Sequence, residues 1–508
     1  MNKPLDIVIV GGGTAGWMAA SALVGALKPG IVAVRLVESD EIATVGVGEA
    51  TLPQMKEFND YVGIIEPDMM RATNGTFKLG IEFRDWGFKG SSYVHPFGAH
   101  GKSMHGAAFH HHWLRTRQAG HDVDIEKSSY AIVAARGNRF EFPAEDASAI
   151  NATYAYAYHF DASLYARYLR GFAEARGLRR IEGRIVDVTR DGLSGDIASV
   201  TLASGEVVAG DFFIDCSGFR SLLMGQTLGV GFEEWGQWLP CDRALAVPCA
   251  RSEDFSPYTR STAREAGWQW RIPLQHRTGN GYVYSSNFIG DDEAASVLMA
   301  NLDGEALGEP RPIRFKSGRR TTSWQNNCIG VGLASGFLEP LESTSIYLIQ
   351  IAITNLIRLF PDRQIEPRLR DEFNRLVDVE YERVRDFLIL HYHLNARTDA
   401  EIWRHCREME VPDSLKARME MFAHRGHIDA YKDGLFAPPS WLSVYLGQGL
   451  APNAYDRLAD NLTLDDTLQR IERDQAAIAR RVEAMPQHAD FVADYCGSID
   501  ARAAGEAA

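Results

Sequence analysis

The chain has 508 residues, too many for one compact core, and its contents of 45% hydrophobic and 24% charged residues are typical of a globular protein. Its 53 Lys and Arg residues against 67 Asp and Glu residues give a net charge of −14, which argues against nucleic acid or an anionic membrane as the main partner. The first predicted strand begins within a few residues of Met1, and no apolar run approaches the roughly 18 residues that span a bilayer. We therefore expect a cytoplasmic enzyme that does not bind membranes.

The N-terminal residues predict a strand, a tight glycine turn and a helix. An apolar run from Ile7 ends at Gly11, Gly13 and Gly16, with Thr14 and Ala15 between the last two, and small helix-compatible residues follow. Glycines allow the turn and a close approach of the backbone to phosphate, and the first N–H groups of the helix attract negative charge. This corner is predicted to hold the pyrophosphate of a dinucleotide.

The second predicted strand covers residues 31–38 and supplies the context that the glycine motif alone lacks. It ends at Glu38, 22 residues after Gly16, where a carboxylate can accept hydrogen bonds from the adenosine ribose. The alternative is a glycine-rich turn that binds no nucleotide. Strand, helix and terminal acid together favour the nucleotide site.

Two segments follow whose roles are less clear from their residues. Residues 44–51 are rich in glycine and are either a simple connection or a loop that contacts the cofactor. Residues 76–85 alternate between apolar and polar side chains, which predicts a half-buried strand. By this pattern Lys78 is a solvated lysine on the outer face of that strand.

Histidines and cysteines do not predict a metal site. Residues 95–98 and 109–113 concentrate histidines and aromatic residues in a region that resembles a loop. Three consecutive histidines cannot all face one ion from a regular element, and no carboxylate lies at ligand spacing. The six cysteines are scattered without a C-x-x-C pair, so neither a zinc site nor a disulfide framework is expected.

The rest of the chain alternates between strands and helices before it becomes mainly helical. A helix at 165–176 and a hairpin at 184–189 and 197–202 lead into an apolar strand at 211–218, typical of a flavoprotein chain returning to its nucleotide-binding sheet. Residues 235–320 suggest a substrate-facing β layer, and residues 328–346 repeat the order of strand, small-residue turn and helix start. Further helices are predicted at 346–360, 371–393, 413–422 and 464–483, with an irregular aromatic segment at 438–449.

We therefore expect an α/β protein with a Rossmann-type FAD-binding fold like that of flavoprotein monooxygenases, a β layer and a helical C-terminal region. The expected division is an FAD-binding module over residues 1–360, with the β layer at about 235–320 inside it, and a substrate-covering region over residues 361–508. The oligomeric state, monomer or homodimer, stays open.

Nearly the whole chain resembles the flavin-dependent tryptophan halogenases. The glycine motif is shared by many flavoproteins, whereas the tryptophan motif, the lysine and the glutamate are specific to halogenases. The motifs that carry the resemblance are Gly11-x-Gly13-x-x-Gly16-Trp17, Val45-Gly-Val-Gly-Glu-Ala50, Lys78 within Thr76-Phe-Lys-Leu-Gly80, Trp268-x-Trp270-x-Ile272-Pro273 and Glu339-Pro-Leu-Glu-Ser-Thr344.

This resemblance implies FAD, used as FADH2, and a halide, chloride or bromide. It also implies a separate NAD(P)H-dependent flavin reductase, and the sequence agrees, since it has one convincing G-x-G-x-x-G unit and no second dinucleotide-binding domain. Beyond the phosphate corner and Glu38, the implied FAD contacts are Gly48, Glu49, Ala50, Val186, Asp215, Leu333 and Ile346.

The resemblance also implies a two-site reaction. Hypohalous acid made near the flavin moves to Lys78, which holds it by hydrogen bonding or as a haloamine, and an electron-rich ring is then halogenated. Glu342 would polarise the oxidant or accept the proton lost from the ring. The amides of Thr344 and Ser345, at a helix start, would hold the halide.

The expected substrate is a small indole-type compound. His95 and Phe97 match the family's indole pocket, and Trp441 and Tyr445 lie in the expected substrate-covering segment, but the tyrosine pair and acid that hold the tryptophan backbone are not found. Trp268, Trp270, Ile272 and Pro273 would separate substrate from flavin, although by composition they are simply an aromatic core strand. The rival functions are a single-component aromatic hydroxylase and a flavin-binding partner protein without turnover.

Overall fold

A computed structural model describes residues 3–41, 48–252, 255–430 and 434–506, with side chains up to residue 497. Residues 44–47 of the predicted cofactor loop therefore lie outside the described residues. The chain forms two interleaved compact units. Unit 1 comprises residues 1–75, 160–237 and 314–382, and unit 2 comprises residues 76–159, 238–313 and 383–508.

The strands and helices of the described residues alternate over most of the chain. The strands are β1 (Leu5–Val10), β2 (Val32–Glu38), β3 (Gly48–Ala50), β4 (Thr76–Lys78), β5 (Gly80–Arg84), β6 (Ser92–Pro96), β7 (Ala157–Asp161), β8 (Arg179–Glu182), β9 (Ile185–Arg190), β10 (Ile197–Leu202), β11 (Val207–Ala209), β12 (Phe212–Asp215), β13 (Phe232–Glu234), β14 (Arg243–Cys249), β15 (Thr259–Arg264), β16 (Gly267–Pro273), β17 (Thr278–Tyr284), β18 (Arg311–Arg314), β19 (Gly318–Arg320), β20 (Trp324–Gln325), β21 (Cys328–Gly330) and β22 (Gly336–Phe337). The helices are α1 (Thr14–Ala26), α2 (Gln54–Val62), α3 (Glu66–Ala72), α4 (Phe109–Gln118), α5 (Tyr130–Arg136), α6 (Ala162–Glu174), α7 (Asp291–Ala300), α8 (Thr344–Arg358), α9 (Pro367–His393), α10 (Glu401–Glu408), α11 (Asp413–Arg425), α12 (Pro438–Gly447), α13 (Leu464–Glu483) and α14 (His488–Glu506).

Unit 1 contains a six-stranded sheet with the order β20-β21-β12-β1-β2-β8. Strand β1 pairs in parallel with both β2 and β12, and its residues 7–10 are buried. A central parallel strand is covered on both faces, which explains why its sequence is almost continuously apolar. The Rossmann-type α/β fold and the predicted return of the chain at β12 are confirmed.

The smaller elements of unit 1 also follow the sequence pattern. The meander β9-β10-β11 is antiparallel, as predicted from the hairpin at 184–202. Helix α6 begins after Asp161, whose carboxylate accepts from the backbone N–H groups of Ser163 and Leu164 and so caps the helix. The repeated strand, turn and helix start appears as β21, β22 and α8.

Unit 2 contains a sheet in which β14, β17, β16, β15, β5 and β6 are successive neighbours. Strand β16 pairs antiparallel with β15 and β17, and β5 pairs with β15 and β6. This is the β layer predicted for residues 235–320, extended by β5 and β6. Strand β4 pairs separately with β7, and Lys78 lies opposite Ala157.

Two sequence predictions in unit 2 were wrong. Residues 95–98 and 109–113 were expected to form a loop, but 92–96 form β6 and 109–118 form α4. Residues 438–449 were expected to be irregular, but 438–447 form α12, a helix that starts at two prolines and buries all five residues from Trp441 to Tyr445. A helix buried on every side has no apolar stripe, so its periodicity is invisible in the sequence.

Each of the two compact units draws on three separate stretches of the chain. The functional division that the sequence analysis placed at residue 360 stays a prediction. Among the helices of the described residues, none combines the length and the apolar character needed to cross a membrane. All six cysteines lie within the described ranges, where each is buried and forms no disulfide bond.

Candidate active site

The glycine turn after β1 has the geometry of a phosphate-binding corner. Gly11 has φ +108°, and a Cβ there would lie 2.3 Å from the carbonyl oxygen of Cys216. A Cβ at Gly16 would lie 1.9 Å from the carbonyl oxygen of Gly11, so α1 can pack this closely against β1 only with glycine. A Cβ at Gly13 would meet no described atom within 4 Å, which leaves open space in front of the helix. These are the three roles that glycines have in dinucleotide sites.

The N-terminus of α1 is available to an anion. Helix α1 begins at Thr14, and its N-cap Gly13 contributes no side-chain hydrogen bond. The first N–H groups of the helix, including those of Thr14 and Ala15, therefore have no intrahelical partner, and their dipoles attract negative charge. The residues present fit the pyrophosphate of FAD.

The carboxylate of Glu38 lies over this corner. A Cβ at Gly12 would collide with the Glu38 carboxylate, and Arg180 of β8 donates to the same carboxylate. Glu38 thus ends β2 beside the turn, as the motif requires, and shares its charge with a guanidinium. A ribose hydroxyl would be a further donor to it.

The other predicted FAD contacts of unit 1 differ in their surroundings. Gly332 has φ +66°, and a Cβ there would lie 2.9 Å from Cβ of Ala15, so the turn that contains Leu333 lies against the phosphate corner. Ile346 is buried in the first turn of α8. Val186, in contrast, is 52% exposed on β9.

The Asp215 carboxylate is hydrogen-bonded within the turn that follows β12. Its carboxylate accepts from the Ser217 hydroxyl at 2.5 Å and from the N–H groups of Leu223 and Met224 at 2.8 and 2.9 Å. Burial raises the pKa of Asp215 despite these bonds. The carboxylate therefore holds the turn after β12, and its contact with FAD stays a prediction.

The start of α8 is a second anion-attracting helix end in unit 1. Ser343 has φ +59°, provides no side-chain cap and leads into Thr344, the first residue of the helix. Thr344 is fully buried, and its hydroxyl oxygen has no hydrogen-bond partner among the described residues. The amides of Thr344 and Ser345 are in the first turn, where a halide is electrostatically favoured.

Two acidic residues of unit 1 are candidates for proton chemistry. Glu342 ends a short 3₁₀ turn before α8 and is fully buried. Glu49 lies in β3 between Gly48 and Ala50, and desolvation by burial raises the pKa of its carboxyl to about 7. Glu49 is thus partly protonated near neutral pH.

Lys78 of unit 2 is fully buried, and the prediction of a solvated lysine was wrong. The alternating segment splits into β4 and β5, and the backbone N–H of Leu79 between them donates to the carbonyl oxygen of Pro257. β4 pairs with β7, and Phe77 and Lys78, which alternate along it, are both fully buried, so both faces of the strand are covered, which local alternation cannot predict. The Lys78 ammonium lies 5.0 Å from the ring centroid of Phe97.

Phe97, which lies beside Lys78, belongs to a cluster of aromatic side chains. The rings of His95 and Phe97 are 6.3 Å apart at 80°, and His95 also contacts Phe387 at 5.8 Å. Phe387 of α9 stacks on Phe436 at 3.8 Å and contacts Trp441 at 5.0 Å. The Trp441 ring also contacts Tyr445 at 6.0 Å, so the structure brings together all four predicted substrate residues. Phe387 and Phe436 were missed, since in the sequence they look like any helix or loop phenylalanine.

Trp441 and Tyr445 are held by packing within unit 2. Trp441 donates its indole N–H to the carbonyl oxygen of Phe436, and the guanidinium of Arg418 lies 4.9 Å over its ring. Tyr445 stacks on Phe422 at 4.3 Å. Both side chains are almost completely buried.

The predicted wall lies on β16. Trp268, Trp270 and Ile272 alternate along the strand and so share one face, and the two indole rings are 6.2 Å apart. A Cβ at Gly281 of β17 would lie 2.0 Å from two carbons of the Trp270 ring, so only glycine allows this ring to lie across the neighbouring strand. Pro273 ends β16, and its carbonyl oxygen accepts from the Thr76 hydroxyl at 2.7 Å.

The histidines of unit 2 act as buried hydrogen-bonding groups. His110 lies 2.8 Å from the carbonyl oxygen of Gly426, and His111 accepts from the N–H of Asp456. Burial lowers the pKa of His111 and of His100 to about 4. In the part of the chain that the structure describes, no group of three or more His, Cys, Asp or Glu side chains could hold a metal ion.

Comparison with known proteins gives matches over nearly the full length. A family model for tryptophan halogenase matches residues 6–463. The chain is 36% identical to the tryptophan 6-halogenase SttH of Streptomyces toxytricini over 521 aligned residues, 97% of this chain and 98% of SttH.

Solved structures of similar proteins agree with this match. BrvH, a flavin-dependent halogenase from Brevundimonas sp. BAL3, superposes with a TM-score of 0.94 at 45% identity, covering 97% of this chain and 100% of BrvH. Xcc4156, a flavin-dependent halogenase from Xanthomonas campestris, gives a TM-score of 0.94 at 46% identity, with coverages of 97% and 99%.

Proposed function

The chain belongs to the tryptophan halogenase family, and from that premise we propose that it uses reduced FAD, O2 and chloride or bromide to halogenate a small indole-type substrate without an amino-acid backbone. The halogenase relatives support this function and give no support to an aromatic hydroxylase or to a partner protein without turnover.

One observation carries the proposal. Lys78 is fully buried and its ammonium lies 5.0 Å over the ring of Phe97, in a cluster of aromatic side chains. An ammonium group can donate a hydrogen bond to hypohalous acid, and the neutral amine can be halogenated directly. An aromatic cage beside that nitrogen suits a flat, electron-rich ring.

The phosphate corner is the proposed site of FAD. The backbone of Gly11, Gly13 and Gly16 would hold the pyrophosphate, and Glu38 would accept from the ribose. Reduced FAD supplies two of the four electrons with which O2 is reduced while the halide is oxidised to hypohalous acid. The amides of Thr344 and Ser345 would hold the halide for that oxidation.

Lys78 and Glu342 would have separate roles in the halogenation step. Lys78 would hold the oxidant with its halogen directed at the substrate ring, so that a carbon–halogen bond forms as the halogen–oxygen bond breaks and the leaving hydroxide takes up a proton to become water. Glu342 would then take the proton that the halogenated ring loses, or polarise the oxidant beforehand. Trp268 and Trp270 would keep the ring away from the flavin, so that oxygen is not transferred to it.

The substrate is proposed to lack an ammonium group. The charged residue seen against the ring of Trp441 is Arg418, a cation that repels an α-ammonium. The rings of His95, Phe97 and Phe387 offer an aromatic surface for the substrate ring. Reduced FAD is proposed to come from a separate NAD(P)H-dependent reductase.

A single assay tests this function. Purified protein is mixed with FAD, a flavin reductase, NADH, O2 and either chloride or bromide, and a panel of indoles is analysed by mass spectrometry. We expect products that gain one halogen in place of hydrogen and no NADH consumption when the reductase is left out. Products that gain only oxygen, or NADH oxidation without reductase, would contradict the proposal.

A further inference from the structure

The strand that carries Lys78 is held by a histidine from near the C-terminus. Phe77, the residue before Lys78 in β4, donates its backbone N–H to Nε2 of His488 over 3.1 Å. His488 is the first residue of α14, is fully buried and lies 411 residues away in the sequence. This hydrogen bond therefore holds β4 in addition to the pairing of β4 with β7.

Both ring nitrogens of His488 are used. Nδ1 lies 3.1 Å from the carbonyl oxygen of Phe255 and must donate to it, because a carbonyl oxygen only accepts. Nε2 is then the unprotonated nitrogen that the N–H of Phe77 requires. Burial lowers the pKa of His488 to about 4, so the neutral ring with this tautomer persists near pH 7.

Ring packing adds to the hydrogen bond. The ring of Phe77 stacks on Phe140 at 4.2 Å, and the His488 ring contacts both, at 6.3 and 6.0 Å. Side chains alternate along a strand, so Phe77 projects to one face of β4 and Lys78 to the other. Fixing the backbone and ring of Phe77 therefore fixes the direction in which the next side chain leaves the strand.

The residue on the other side of Phe77 is held separately. The Thr76 hydroxyl donates to the carbonyl oxygen of Pro273 at 2.7 Å, so it must accept from Nδ1 of His159 at 3.0 Å. Nε2 of His159 then accepts from the Thr259 hydroxyl at 2.9 Å. These hydrogen bonds connect β4 to the end of β16 through Thr76. They do not involve the N–H of Phe77, which donates to His488.

We propose that His488 is a positioning residue for Lys78, which it holds against the Phe97 ring through the backbone N–H of Phe77. This inference rests on the proposed catalytic role of Lys78. A misplacement on the order of 1 Å at a reacting group costs up to about a hundredfold in rate, so a bond that fixes the lysine's strand affects turnover directly.

The test compares His488→Leu, which loses both hydrogen bonds, with His488→Gln, whose amide can accept from Phe77 and donate to Phe255. Each variant receives reductase, NADH, FAD and bromide with an indole substrate. Halogenated indole is measured together with free hypohalous acid, which is captured by a soluble β-diketone trap. We expect His488→Leu to lower the ratio of halogenated indole to trapped oxidant at least tenfold while total oxidant stays the same, and His488→Gln to keep most of the wild-type ratio.

Val492→Ala is the matched control, because Val492 is buried on the same helix but takes no part in this hydrogen bond. We expect it to lower the thermal midpoint without changing the ratio. If His488→Leu does not accumulate as folded protein, His488→Asn, with its shorter reach, replaces it and should give a ratio between those of wild type and Lys78→Ala. A wild-type ratio in the folded His488 variant, or an equal fall in Val492→Ala, overturns the inference.

Lys78→Ala separates the inference from the function on which it rests. If Lys78→Ala shifts the ratio and the His488 variants do not, Lys78 keeps its role and His488 is only a structural residue. If Lys78→Ala also gives the wild-type ratio, the proposed role of Lys78 fails and the inference fails with it.

Discussion

Lys78 is a lysine without access to solvent, and burying its amine costs free energy that an ordinary surface lysine avoids. Because the side chain belongs to unit 2 and the phosphate corner belongs to unit 1, Lys78→Ala should abolish halogenation but leave FAD binding intact. Hypohalous acid should still form and escape. Flavin titration and an oxidant trap measure the two properties.

Lys102→Ala is the control for this variant, since Lys102 is an exposed lysine of the same unit. It should halogenate at the wild-type rate. Loss of FAD binding in Lys78→Ala would instead make Lys78 a flavin contact or a structural residue.

Glu342 is a buried carboxyl with a proposed role in proton transfer. Glu342→Gln keeps the shape of the side chain and removes the base, so turnover should fall by about a hundredfold to ten-thousandfold with little change in thermal midpoint. Glu339→Gln, which removes another buried carboxyl just before the same turn, should have a much smaller effect on turnover. Wild-type turnover in Glu342→Gln would rule the role out.

Glu49 provides a pH-dependent prediction in the FAD-free protein. Its folded pKa of about 7 is above the ordinary 4.5, so the folded state retains a proton that the unfolded state releases between those values. The contribution of this group to the free energy of unfolding is fully present below pH 4.5 and is lost as the pH rises to about 7. Glu49→Gln stays neutral, so its thermal midpoint should exceed that of the wild type by more at pH 8 than at pH 5.

Thermal unfolding of both proteins at the two pH values measures this difference. Glu57→Gln, which changes an exposed acid of α2, should show no such trend. An equal gain for Glu49→Gln at pH 5 and pH 8 would contradict the burial of the carboxyl.

At the level of elements, Gly281 of β17 allows the Trp270 ring of β16 to take its place in the proposed wall. A Cβ at Gly281 would lie 2.0 Å from the ring of Trp270, so Gly281→Ala must displace that ring or push the strands apart. Overpacking of this kind costs about 1–3 kcal/mol. We expect a lower thermal midpoint and a larger share of oxygenated product, as the barrier between substrate and flavin loosens.

Gly290→Ala is the matched change for this test. A Cβ at Gly290 would meet no described atom within 4 Å. The thermal midpoint and the product ratio of Gly290→Ala should therefore stay near those of the wild type. A normal Trp270 environment in Gly281→Ala, judged by tryptophan fluorescence and an unchanged product ratio, would remove Trp270 from the wall.

Elements that depend on local pattern were predictable from the sequence, and those that depend on distant partners were not. The turn from β1 to α1 needs glycines at fixed spacing, and α13 begins and ends at the predicted residues 464 and 483. Lys78 lies instead among partners far away in the sequence, such as β7, which pairs with β4, and Pro257, whose carbonyl oxygen accepts from the N–H of Leu79. The bond from Phe77 to His488 has no sequence signal, because the two residues are 411 positions apart and no local pattern connects them.

On the scale of the whole molecule, the residues proposed for the reaction are distributed over both units. Unit 1 carries the phosphate corner, Glu342 and the start of α8, and unit 2 carries Lys78, the wall and the aromatic cluster. Because Lys78 and His488 belong to unit 2, their variants are expected to lower substrate halogenation without abolishing oxidant formation.

Under the proposed function, substrate choice would depend on several residues of unit 2. Its aromatic cluster around His95, Phe97 and Phe387 fits a flat ring, whereas the Trp441 ring is covered by the cation of Arg418. An α-ammonium placed there without a carboxylate partner loses several kcal/mol, roughly a thousandfold in discrimination. Free indole, or a 3-substituted indole without the zwitterion, should therefore be halogenated faster than L-tryptophan, and at its most electron-rich ring carbon, because little else directs the oxidant. Competing equal amounts of both substrates in one reaction and separating the products measures this preference directly. A clear preference for L-tryptophan with a single product halogenated on the benzene ring would show that unit 2 recognises the amino-acid backbone after all.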